Sequence, residues 1–124
     1  MKKDISNRRD IELLVTAFYI KVKADEVLKN YFKKVDWDNH LQIMFNFWEN
    51  AIFYTGTYSG NPMEAHRHVH MMMPLSEEGF ARWLFLFNEA VNERYEGEKA
   101  ELIKQRAYSI ATVMQIKILQ TTTE

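Results

Sequence analysis

Asn61-Pro62-Met63-Glu64-Ala65-His66-Arg67-His68-Val69-His70 carries three of the chain's four histidines and runs directly into Met71-Met72-Met73-Pro74-Leu75. The order Asn61, Pro62, Glu64 predicts a helix start. The Asn side chain caps, Pro fills the first helical position where its missing N–H costs nothing, and Glu64 completes the capping box. Pro74 ends the helix. His66 and His70 stand four apart, so on a helix both imidazoles lie on one side, one turn from each other. Imidazole is the commonest protein ligand for transition metals, but the chain has no cysteine and no dense carboxylate cluster beside the pair, which argues against a zinc finger or an iron–sulfur site. The surroundings are apolar and aromatic. One imidazole facing a slot walled by Phe, Trp, Met and Leu is what a flat, hydrophobic, axially ligated cofactor requires.

Outward from this stretch the pattern is helical in both directions. Ile11, Leu14, Val15, Phe18 and Val22 recur at helical spacing from Asp10, with Asn7 or Asp10 as cap and Tyr19 at the edge of the stripe. A shorter pattern of Val27, Leu28, Tyr31 and Phe32 predicts one or two turns before the polar corner Lys33-Lys34. Asp36 or Asp38 caps a helix through His40, Leu41, Met44, Phe45, Trp48, Ala51 and Ile52, with Gly56 as its stop. His40, Met44 and Phe47 share a side of it. Residues 55–60 read as a loop. Beyond Pro74, Ser76 caps a helix with Glu77 and Glu78 in its first turn, where Leu75 can staple onto Phe80. Its stripe is Phe80, Trp83, Leu84, Phe87 and Val91, and Gly97 marks its end. A last helix over about Lys99 to Leu119 turns Ile103, Ala107, Ile110, Ala111, Met114 and Ile118 inward. No alternation of the strand type occurs, so the fold class is all-α, with the last two helices antiparallel. Residues 1–9 are polar and expected to be loose.

A chain of 124 residues is expected to form a single domain over residues 1–124. Its 47% hydrophobic and 14% aromatic content suits a core that wraps something flat or a second subunit. Sixteen basic and seventeen acidic residues give a net charge of −1 with no basic block, which leaves nucleic acid without an electrostatic footprint. No apolar run approaches the roughly 18 residues of a membrane span, and no signal core follows the first residues. The expected location is cytoplasmic.

The order Phe18-Tyr19, Phe32, His40 with Trp48 eight residues on, Tyr58-Ser59-Gly60-Asn61-Pro62, His70 and Phe80-Ala81-Arg82-Trp83-Leu84 resembles the truncated haemoglobins, specifically group III, over about Ile11 to Leu119. The four glycines are isolated, without the Gly-Gly helix ends of the other groups. The resemblance implies a truncated globin fold, a two-over-two helical sandwich, holding haem b between the helix containing His40 and the helix beginning near Ser76. In related truncated globins the proximal histidine is followed by apolar residues three and five on and by Phe ten on. His70 finds Met73, Leu75 and Phe80 at those offsets, whereas His66 finds Val69, Met71 and Ser76. His70 is the expected iron ligand. His66 is the alternative, since the spacing from Tyr58 to His66 matches some shorter members, and His68 points roughly 160° away from His70.

The same resemblance places the Tyr19 hydroxyl, the Trp83 indole N–H and the His40 imidazole on the distal side, where donors slow the loss of a polarised ligand. Phe32, Met44, Met73, Phe80 and Ile110 are its expected pocket walls, and Arg67, Arg82 or a lysine can pair with the propionates. It implies binding of dioxygen and related diatomics, with turnover of nitric oxide, peroxide or dioxygen as a haem-dependent dioxygenase or peroxidase-like activity served by a reductase. Two other readings of the residues stay open: a non-haem metal protein using His66 and His70, and a cofactor-free helical interaction domain.

Overall fold

The computed structural model describes residues 2–33, 35–55 and 76–122. The stretch around His66, His68 and His70, together with Arg67, Met73 and the Leu75 staple, lies outside them. So does the side chain of Ile118.

Helix α1 spans Arg8–Ala24, and Asn7 is its cap, its side chain accepting from the Asp10 amide at 3.0 Å. Ile11, Leu14, Val15, Phe18, Tyr19 and Val22 are all buried along one stripe. Full burial of each such aliphatic or aromatic side chain is worth about 1.5–3 kcal/mol, far more than the intrinsic helix preference of β-branched Ile and Val. Asp25 stops α1, and its Oδ2 accepts from the amides of Val27 and Leu28, which starts the 3₁₀ turn Lys29–Phe32. Asp36 then caps α2, Trp37–Phe53.

Helix α2 ends at Phe53, short of Gly56, where the spacing places the stop. Tyr54 adopts the left-handed conformation (φ 56°, ψ 42°) and donates its amide to the Asn50 carbonyl, so a tyrosine closes the helix in the role glycine usually fills. Ser76 caps α3, Glu77–Arg94, by accepting from the Gly79 amide at 3.0 Å. A connection through Tyr95 and Gly97 folds α4, Glu98–Thr122, back along α3, and Lys104 reaches Asn92 at 2.8 Å. Helix α1 packs on both α2 and α3. Arg8 ties α1 to α2 through Asn46 (2.8 Å) and Glu49 (2.9 Å), and Lys21 ties α1 to α3 through Glu89 (2.8 Å).

The N-terminal stretch, expected to be loose, is fastened from residue 3 onward. Lys3 bridges to Tyr95, Ile5 is buried in the core, and Asp10 accepts from Lys3, from the Ser6 amide and from the Ser6 hydroxyl. Asp4 accepts from the amides of Lys99 (2.9 Å) and Ala100 (2.8 Å), and so caps α4 from the far end of the chain. Polarity here marks hydrogen bonding to other elements instead of freedom. Gly97 makes this clasp possible. Its φ is 142°, and a Cβ built on it would stand 2.6 Å from the Asp4 Cγ. Gly97→Ala is expected to cost about 2 kcal/mol, from the positive φ and a displaced cap together, read as a lower urea midpoint with an unchanged m value.

Candidate functional site: a narrow void between the two helix pairs

Phe18 and Tyr19 are consecutive on α1, so their rings leave the helix about 100° apart. Phe18 goes to α3, edge-on to Trp83 at 5.6 Å and to Phe87 at 5.1 Å. Tyr19 turns toward the 3₁₀ segment and the start of α2, where Phe32 (6.1 Å), Trp37 (5.3 Å) and His40 (5.1 Å) surround its ring. Lys23 lies over the outer face of Trp37 at 4.3 Å and closes this box toward solvent. Trp83 and Phe87, one turn apart on α3, stack at 5.7 Å, and Phe87 stacks in turn on Trp48 of α2 at 4.9 Å. Four elements, α1, the 3₁₀ turn, α2 and α3, therefore meet in one continuous aromatic array.

Between the helix pairs lies a narrow void lined by Tyr19, Met44, Phe47, Trp48, Trp83, Ile110 and Met114. Its volume is about 10 Å³, room for about one water molecule. Trp83 carries its Nε1 donor into the interior with no hydrogen-bond partner among the described residues. A buried donor without an acceptor costs about 1–3 kcal/mol, so a fold retains one only where something offsets it. The Tyr19 side chain is 2% exposed, and burial pushes the pKa of its hydroxyl well above the usual tyrosine range. The phenol keeps its proton, and its capacity to donate, throughout the physiological pH range. Two donors, an otherwise apolar wall and two adaptable thioethers suit a small polarisable ligand.

The expected site residues divide into three groups. Tyr19, Trp83, Met44 and Ile110 line the void together. His40 and Phe32 stand beside it in the box around Tyr19, and Phe80 packs with Met114, Ile110 and Tyr31 at its other side. His66, His70 and Met73 lie outside the described residues. Phe47, Trp48 and Met114 line the void without having been among the expected walls. Met114 is four residues after Ile110 on α4, a spacing that could have nominated it.

Arg82, a candidate for pairing with a propionate, also joins two elements through its Nε. Its Nε donates to Asp25 at 2.6 Å, and its guanidinium lies over Phe85. The pair joins α3, one residue from Trp83, to the segment that carries Phe32. Burial alone would raise the Asp25 pKa. The Arg82 N–H, the Leu28 and Val27 amides and the guanidinium charge outweigh it and hold the carboxyl below the usual range. The sign follows from linkage: this contribution is complete above the unfolded carboxylate pKa of about 4 and is lost as pH falls through the lower folded value. Asp25→Asn is therefore expected to be less stable than wild type at pH 7, with the gap narrowing as pH falls below about 4, measured by urea unfolding across that range.

Among the described residues no three His, Asp or Glu side chains are close enough to hold a metal ion. Nor, among them, is any helix long and apolar enough to cross a membrane.

Comparison with known proteins agrees with this geometry. A family model described as bacterial-like globin matches residues 3–117. The group 3 truncated haemoglobin of Campylobacter jejuni is 33% identical over 121 residues, 93% of each chain. A crystal structure of the group III truncated haemoglobin from the same organism superposes with a TM-score of 0.83 over 95% of both chains. The chain belongs to the bacterial-like globin family. The group III likeness read from its residues holds, and the α1/α2 and α3/α4 pairs form the two-over-two sandwich. Globins bind haem, and the donors and apolar walls described above fit one face of that group.

Proposed function

We propose that the chain holds haem b, with His70 as the iron ligand and His66 as the alternative, and binds dioxygen and related diatomics on the side facing Tyr19 and Trp83. The observation that carries this reading is the buried, unpaired Trp83 Nε1, in a side chain that lines the same void as the buried Tyr19. Haem supplies an open coordination position for a diatomic ligand. The chain's own residues do the rest. Tyr19 and Trp83 donate toward the charge that builds on the ligand, and His40, edge-on to Tyr19, adds a third donor. Met44 and Ile110 keep water out, while Phe32, Phe80 and Met73 complete the walls around the cofactor. Donors kept dry in this way strengthen retention, which favours chemistry on nitric oxide, peroxide or dioxygen, or sensing, over delivery. A carrier has to release its cargo. Turnover requires a reductase, and the cytoplasm is the compartment that fits this reading.

Haemin titration tests the proposal. One equivalent is expected to give a Soret band, and the reduced protein a second spectrum with carbon monoxide. His70→Ala is expected to weaken haem retention and change the reduced spectrum, while His66→Ala leaves both in place. The opposite pattern would move the ligation to His66, and no response to either substitution would remove the globin-type ligation altogether.

A further inference from the structure

Away from the void, the outward face of α1 forms the floor of an open groove of about 310 Å³. That volume is at the lower end of the roughly 300–1,000 Å³ typical of small-molecule sites. The floor is mainly apolar, with Thr16 as its one hydroxyl. Leu13, Ala17 and Ile20 run along α1, Phe45 closes the side toward α2, and Ile20 is 61% exposed. From Leu13 to Ile20 the stripe extends about 10 Å at 1.5 Å per residue, comparable to an extended eight-carbon chain.

The rim carries two arginines, Arg9 from the first turn of α1 and Arg94 from the last turn of α3. Arg94 forms no ion pair among the described residues, and Arg9 has only a 3.5 Å approach to Glu12, its side chain 73% exposed. Glu12, the one carboxylate of the lining, is held more closely by Arg8 at 3.0 Å. The groove therefore offers a cationic rim over an apolar floor, with its own carboxylate already occupied.

We propose that this groove is a second binding site, independent of haem, for a small carboxylate on a medium-length hydrocarbon chain. Arg94 and Arg9 receive the carboxylate, and Leu13, Ala17, Ile20 and Phe45 receive the chain. The fork of a guanidinium matches a carboxylate in two-point contact. A free acid fits the dimensions better than a protein partner, because a stable protein interface covers about 800 Å² on each side.

The test uses the haem-loaded full chain, with octanoate, acetate and octyltrimethylammonium as probes and backbone amide NMR shifts as the readout. Octanoate is expected to give saturable shifts at Leu13, Ala17 and Ile20. Arg94→Gln and Arg9→Gln are each expected to weaken it about fivefold, the size of one partly exposed charge-assisted contact. Acetate, lacking the chain, and octyltrimethylammonium, lacking the negative charge, are expected to give no saturation at those amides. Absence of octanoate binding, equal binding of the cationic probe, or indifference to both arginine substitutions overturns the proposal. Shifts centred on Tyr19 and Met44 would place octanoate in the haem-side void and overturn it as well. Shifts that grow with protein concentration alone would give the groove to a second copy of the chain.

Discussion

Phe87→Ala is expected to lower the unfolding free energy by about 3–5 kcal/mol, the cost of deleting a fully buried ring whose space cannot close. Phe87 has no exposed surface, and it lies in a stack between Trp48 and Trp83 with Phe18 edge-on. Each aromatic contact adds about 0.5–1.5 kcal/mol beyond the area buried. Removing the middle ring leaves two indoles facing a gap, so Trp83 loses the surface that orients its N–H. Phe87→Leu keeps most of the volume but loses the ring contacts, and is expected to cost clearly less than Phe87→Ala. Urea unfolding followed by tryptophan fluorescence separates the two. In the haem-loaded protein Phe87→Leu is also expected to release dioxygen faster than wild type, because packing against Phe87 is what aims the donor.

Tyr19→Phe and Trp83→Phe are each expected to speed dioxygen release from the haem-loaded protein by about 10- to 100-fold. That is the kinetic equivalent of losing a hydrogen bond to a partly charged acceptor in a dry site, about 1.5–3 kcal/mol. Both substitutions preserve an aromatic side chain, so the change isolates the donor. Tyr19 is the cleaner case, since Phe replaces it with the loss of a single hydroxyl. Carbon monoxide accumulates less charge than dioxygen, and its release is expected to change by a smaller factor in both variants. Stopped-flow displacement measures the rates. The double variant is expected to show less than the product of the single effects if the two donors share one acceptor.

The residues that set local structure are legible in the chain because their partners are three or four positions away. Asn7, Asp36 and Ser76 cap their helices as their positions indicate, and the stripe from Ile11 to Val22 is buried as its spacing predicts. The order that runs from Phe18-Tyr19 through Phe32, His40, Trp48, residues 58–62 and His70 to Phe80-Ala81-Arg82-Trp83-Leu84 suggests the family. Less legible were features that depend on distant partners. Asp4 caps α4 across 95 and 96 residues, and Arg82 finds Asp25 across 57. A polar N-terminal run does not announce such partners. Tyr54 ending α2 is a local event that propensity assigns to Gly56, since a left-handed tyrosine is uncommon. Trp48 illustrates a different limit: helical spacing places it in the core, but only tertiary packing decides that it also borders the void.

The infrared stretch of carbon monoxide bound to the reduced, haem-loaded protein tests most directly whether the side chains around that void face the cofactor. Nearby hydrogen-bond donors shift charge onto the ligand and lower its stretching frequency. Wild type is predicted to absorb at a lower frequency than Tyr19→Phe and Trp83→Phe, with the double variant highest. The same frequency in all four proteins would mean that neither the phenol nor the indole reaches the ligand, which contradicts the account.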